Sequence, residues 1–136
     1  MFRRRILPAL LGSVVLASLA AAEHKTKEED GPAAQLSKAP VAARSLRNPF
    51  AADENAAAAG HKLYEKHCAH CHGADAGGLE RAANLRSRAI QEAPPGSLFW
   101  ALRNGRIRKG MPSWSKLPDQ QLWQLVTYID SLNKGR

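Results

Sequence analysis

The chain has 136 residues, room for one compact domain and some appendages. Twenty Lys and Arg against twelve Asp and Glu give a formal charge of +8, yet no nucleic-acid-binding motif accompanies that charge. Without Arg3, Arg4 and Arg5, which belong to a leader-like amino terminus, 17 basic residues face 12 acidic ones, or +5. Such a surface suits the steering of an acidic protein partner better than the holding of nucleic acid.

Met1–Ala22 opens with those arginines, continues with the apolar run from Ile6 and ends on Ala20-Ala21-Ala22. That is the order of a secretory signal peptide, with cleavage expected after Ala22 and the mature protein in the periplasm. The alternative is an uncleaved anchor, and in that case alone would the protein be membrane-tethered. Seventeen residues interrupted by Pro8, Gly12, Ser13 and Ser18 sit at the short limit for a span. Residues 23–49 carry Lys25, Lys27, Glu28, Glu29 and Asp30, then Gly31-Pro32 and Ala39-Pro40, with no apolar period. They read as a flexible linker, and His24 within it as a surface residue.

The folded domain is expected over 50–136. Asp53 or Asn55 can cap a helix that runs from Ala56–Ala59 through Gly60, Leu63 and Tyr64 towards Cys68. Gly60 costs such a helix about 1 kcal/mol relative to alanine, unless another helix needs the space. Gly73 and Gly77-Gly78 mark a loop, and Leu79 to Ile90 offers no assignable element. After Pro94-Pro95-Gly96, Ser97 is placed to cap a short helix with Leu98, Phe99 and Leu102 on one face and Gly105 as its stop. A basic loop, Arg106 to Lys116, holds Gly110-Met111-Pro112-Ser113-Trp114. Pro118-Asp119 opens a last helix whose Leu122, Leu125, Val126, Ile129 and Leu132 form an amphipathic stripe, closed by Lys134 and Gly135. No segment alternates at period two, so the domain is expected to be all-α.

Cys68-Ala69-His70-Cys71-His72 carries the chemistry. Two cysteines three apart followed directly by a histidine read as a site for covalent haem attachment. The thiols of Cys68 and Cys71 would form thioethers and His72 would be the proximal iron ligand. They are the chain's two cysteines, so one haem c is expected. A disulfide is open to an exported protein, but a thioredoxin-like redox pair needs a βαβ setting that is missing here. A zinc ion would have to draw on His67, His70, His72 and the cysteines, which crowd together too closely for a relaxed tetrahedron.

The sixth iron position needs a second ligand. A thioether opposite a histidine raises the potential and suits electron transfer. Met1 leaves with a cleaved signal, so Met111 is the methionine candidate, and core packing explains it poorly in a charged Gly-Met-Pro loop. His61, His67 and His70 are the rivals. The latter two are held beside the attachment site, and His61 sits about two helical turns earlier, where a surface position suits it.

With these residues in view, 50–136 resembles a class I c-type cytochrome with a single haem. The motif at 68–72 is highly specific, and Gly-Met-Pro lies 39 residues beyond His72. The resemblance implies three to four short helices around one covalently bound haem, with the first and last crossing. Gly60 and Tyr64 match one side of that crossing, Leu125 and Tyr128 the other. It further implies a backbone carbonyl for the proximal histidine at Ala83-Asn84-Leu85, where this chain lacks the family's usual proline. Arg106 would face the haem propionates, Leu85, Trp100 and Trp114 would line the pocket with Leu63, Leu98 and Leu102, and Trp123 would be partly exposed.

Two protein ligands leave iron no open site, so the implied function is one-electron transfer between Fe(II) and Fe(III) and no substrate chemistry. Partners would be redox proteins docking on a basic ring of Lys62, Lys66, Arg106, Arg108 and Lys109. A second expectation is a dedicated cytochrome subunit, accepting from a quinoprotein-type dehydrogenase or donating to a terminal oxidase. A third, a gas-binding or peroxidatic protein, requires Met111 to be off the iron.

Overall fold

A computed structural model describes residues 31–133. The leader-like segment 1–22, His24 and the Lys134-Gly135 helix end fall outside the described residues. The described residues form seven α-helices: α1 (Pro32–Ser37), α2 (Val41–Arg44), α3 (Glu54–His67), α4 (Ala69–His72), α5 (Arg88–Gln91), α6 (Pro95–Asn104) and α7 (Asp119–Ser131). A 3-10 turn, Ile107–Lys109, lies between the last two. Among the described residues there is no strand, and the all-α expectation holds.

α3 starts where its cap dictates. The Asp53 carboxylate accepts from the amides of Asn55 (2.8 Å) and Ala56 (3.1 Å), satisfying two of the helix's orphan donors. α7 starts after Pro118 with Asp119 in its first turn, the favourable end for an acidic group. Its Leu122, Leu125, Val126 and Ile129 are buried as the stripe requires. α3 and α7 make the most extensive helix–helix contact of the domain, and they cross at Gly60. A Cβ there would lie 2.0 Å from the Gln124 carbonyl oxygen and 2.9 Å from Tyr128 Cβ, so the space a side chain would take is occupied by the other helix. Beside the crossing the Tyr64 and Tyr128 rings are 5.1 Å apart, an edge-contact distance.

α6 lays Leu98, Phe99 and Leu102 against the core, but it starts three residues earlier than a cap at Ser97 would place it. Pro95 opens the helix after Pro94, a position where proline's missing N–H costs nothing, and Ser97 is buried inside the first turn. Trp123, expected to be partly exposed, is buried because Phe99 of α6 stacks on it at 4.3 Å and 20°. The unassigned 79–90 stretch ends in α5, whose Ile90 joins the core.

The largest departure from expectation is at 32–49. Instead of a solvated linker, α1 and α2 pack on α6, with Leu36 and Ala39 buried. Gly96 makes the fit possible: a Cβ there would meet the Ala43 carbonyl oxygen at 1.9 Å. Asn48 Nδ2 donates to Thr127 Oγ1 (2.9 Å), whose single hydrogen is shared between the carbonyls of Trp123 (3.0 Å) and Phe50 (3.1 Å). Few apolar residues carry this packing, and at no helical period, so the sequence hides it. No helix among the described residues is long and apolar enough to cross a membrane.

Candidate functional site

α3 ends at His67 because the chain turns at Cys68, which leaves helical geometry and starts the single turn α4. The amides of Cys71 and His72 both donate to the Cys68 carbonyl (3.1 and 2.9 Å). Cys68, Cys71 and His72 therefore share one tight turn. Gly73 closes it at φ +83, a conformation that favours glycine. The Tyr64 hydroxyl, fully buried, donates to the Gly73 carbonyl at 2.5 Å, so α3 grips the far end of the turn it leads into. Burial is the main reason the Tyr64 phenol is pushed up to about 12.

Cys68 is half-buried and Cys71 exposed, both as free thiols. Burial, with the Cys71 sulfur nearby, pushes the Cys68 thiol up to about 11. The His72 ring is aimed by the backbone: its Nδ1 donates to the Ala83 carbonyl at 2.8 Å. This is the contact expected near 83–85, made without a proline. It fixes the tautomer and leaves Nε2 as the nitrogen able to bind a metal. Leu85, next but one, is buried and donates its amide to the Ala76 carbonyl (2.9 Å).

Met111 stands on a second rigid support. Arg106 and Met111 exchange both backbone hydrogen bonds, at 2.8 and 3.2 Å, around the 3-10 turn. Gly110 completes this closed loop at φ +89. On the far side Ser113 Oγ donates to the Arg103 carbonyl (2.6 Å) and the Trp114 amide to that of Leu102 (3.0 Å). Met111 and Trp114 are half-buried and pack on the same core as Leu63, Cys68 and Ala69. The Trp114 ring lies 5.0 Å from that of His67, joining the methionine loop to the residue before the attachment motif.

Other expected residues lie elsewhere. Trp100, expected in the pocket, lines a different concavity with Pro40, Ala43, Leu46, Phe99 and Arg103, away from the attachment motif. His61 is exposed, beside Tyr128 and 3.8 Å from Glu65, and His70 contacts the Cys71 sulfur at 3.2 Å. Arg106 contributes its backbone to the methionine loop. Lys62, Lys66, Arg108 and Lys109 are exposed. Among the described residues no group of three His, Cys, Asp or Glu could hold a metal ion. Sequence reasoning missed Tyr64 as a hydrogen-bond donor; a tyrosine where phenylalanine would pack equally well was its one signal.

These residues fit a covalently attached haem. Two thiols and a histidine share one turn, the histidine is held by its Nδ1, and a thioether stands in a closed loop against the same core. Once bound, the group supplies a reversible one-electron couple; the chain supplies anchoring, orientation and an apolar surrounding.

No curated protein and no solved structure matches the chain. Residues 55–129, more than half of the chain, match the family described as cytochrome C oxidase, cbb3-type, subunit III. The chain therefore belongs to this family of class I c-type cytochrome domains, and its chemistry is haem-based electron transfer.

Proposed function

We propose that this protein is a periplasmic carrier of single electrons that uses one haem c, held through Cys68 and Cys71 and ligated by His72 and Met111. The observation that carries the proposal is the pair of independent supports. His72 is fixed by the Ala83 carbonyl, and Met111 sits in a loop closed by its own backbone bonds to Arg106. Ligands held in this way change little between oxidation states, which keeps reorganisation small. Side chains on both faces leave no position for a substrate, so the role is transfer rather than transformation. The composition of Met1–Ala22 supports export.

The sulfur-to-iron(III) charge-transfer band in the far red tests the ligand set. It should be present in the oxidised protein and absent from Met111→Ala; its absence from the wild type would overturn the assignment. Docking on exposed Lys62, Lys66, Arg108 and Lys109 predicts that partner reduction slows as salt is added. A flat response would reduce these groups to solubilising charge.

The family description favours a second reading, a cytochrome subunit of a terminal oxidase complex. Purification under mild conditions separates the two: co-elution with a large subunit supports the subunit, and a small free species supports the mobile carrier.

A further inference from the structure

The contact that orients His72 comes from a loop with little structure of its own. Between Gly73 and Ser87 the chain has turns but no helix, and Ala83 lies in the middle of it. A carbonyl aims a ring only as well as its own position is fixed. What fixes this one is a set of bonds to the end of α7. Gln91 Nε2 donates to the Leu85 carbonyl (2.8 Å) and to that of Ile129 (3.0 Å). Arg86 donates through Nε to the Asp75 carbonyl (2.6 Å) and through Nη1 to the Leu132 carbonyl. Asn133 Nδ2 returns a bond to the Arg86 carbonyl (2.9 Å).

The acceptors are the Ile129 carbonyl in the last turn of α7, which also takes the Leu132 amide (3.2 Å), and the carbonyl of Leu132 just past it. Helix geometry leaves carbonyls there short of intrahelical donors. A guanidinium there also meets the negative end of the helix dipole. The same two side chains thus finish the helix and pin the loop. α7 is in turn locked to α3 at Gly60, and α3 leads directly into Cys68–His72. The path is closed: α3, the attachment turn, His72, Ala83, Arg86 and Gln91, the end of α7, and back through the crossing.

We propose that Arg86 and Gln91 are positioning residues for His72. By tying the loop that presents the Ala83 carbonyl to the last turn of α7, they set how strongly the imidazole donates to iron. The inference rests on His72 being the proximal ligand. An acceptor held on Nδ1–H makes the ring a stronger donor and favours the more positive iron. Loosening the loop should weaken the ring as a donor and raise the reduction potential.

The test uses holoprotein carrying Gln91→Ala, Arg86→Ala or Arg86→Lys, with Arg88→Ala as control. Arg88 is on the same short helix but makes an exposed ion pair with Glu92. Exchange of the His72 Nδ1–H, followed by NMR in the reduced protein, should quicken about fivefold or more in Gln91→Ala, the factor that losing about 1 kcal/mol of hydrogen bonding gives. The potential should rise in parallel, further in Arg86→Ala than in Arg86→Lys, and stay unchanged in the control. A fall in thermal midpoint with exchange and potential unaltered would overturn the proposal, leaving the two residues merely structural. If Arg86→Ala does not fold, Gln91→Ala, which keeps the Arg86 bonds, decides alone. A wild type without histidine–methionine spectra would overturn the ligand reading itself, and the proposal with it. Wild-type spectra as expected with silent variants would overturn the proposal alone.

Discussion

Gly60→Ala is the sharpest probe of the crossing between α3 and α7. In an isolated helix the change would stabilise, by about 1 kcal/mol. Here the new methyl would start 2.0 Å from the Gln124 carbonyl oxygen and 2.6 Å from its carbon, both backbone atoms that cannot swing aside. Relaxed contact needs about 3.5 Å, so the helices must part by about 1.5 Å or bend. Tyr64, Leu125 and Val126, all with no exposed surface, would lose contact together. Overpacking costs about 1–3 kcal/mol, and more where backbone is the obstacle. Taking about 3–4 kcal/mol for this backbone obstacle, less about 1 kcal/mol of helix propensity, leaves an expected net loss of about 2–3 kcal/mol. For a domain of this size that lowers the thermal midpoint by about 10–20 °C. Thermal unfolding of holoprotein, followed by far-ultraviolet dichroism and by Soret absorbance, measures it. Ala58→Gly, at an exposed position of the same helix, should cost about 1 kcal/mol. A Gly60→Ala protein as stable as wild type would refute the close-crossing argument.

The other expectations are simpler. Tyr64 keeps its proton in the folded state up to about 12, against 10 in the unfolded chain, so the native state binds more protons between those values. Its contribution is complete below pH 10 and is lost as pH rises towards 12; denaturant midpoints across that range should fall, and fall less in Tyr64→Phe. Arg103→Ala breaks an ion pair with Asp119 whose side chains are 46% and 64% exposed, and should shift stability by no more than about 0.5 kcal/mol in urea titration. A Cys68→Ala/Cys71→Ala protein, unable to anchor the cofactor, should show no cooperative transition on heating, because so short a domain takes much of its core from that group.

The site was more legible in the sequence than the frame that holds it. Cys68, Cys71 and His72 are adjacent and chemically specific, and Met111 stands out because thioethers are scarce in this chain. Gly60 could be read because a glycine inside an alanine-rich helix needs a reason. Trp123 could not, since its burial depends on Phe99 arriving from another helix. Trp100 faces the segment at 40–46 because α2 packs there, and nothing periodic announces α2. Ser97 has a capping side chain, yet two prolines before it open the helix earlier, where fixed φ matters more than a hydroxyl. The Ala83 carbonyl is the clearest lesson: the bond is made by backbone, so no side chain at 83 needed to advertise it, and its supports at Arg86 and Gln91 look like ordinary surface residues.

The lock between Asn48 and Thr127 has a mechanical consequence. A pull on the amino-terminal side loads residues 32–47 first, and these lie against α6 through few buried side chains. They can peel away, releasing roughly 55 Å of chain at about 3.5 Å per residue, before tension reaches the bonds at Thr127. α3 and the turn that follows it stay unloaded until then. The segment acts as a fuse in series with the domain, so a copy held by its amino-terminal side could be stretched by several nanometres with the Cys68–His72 turn undisturbed.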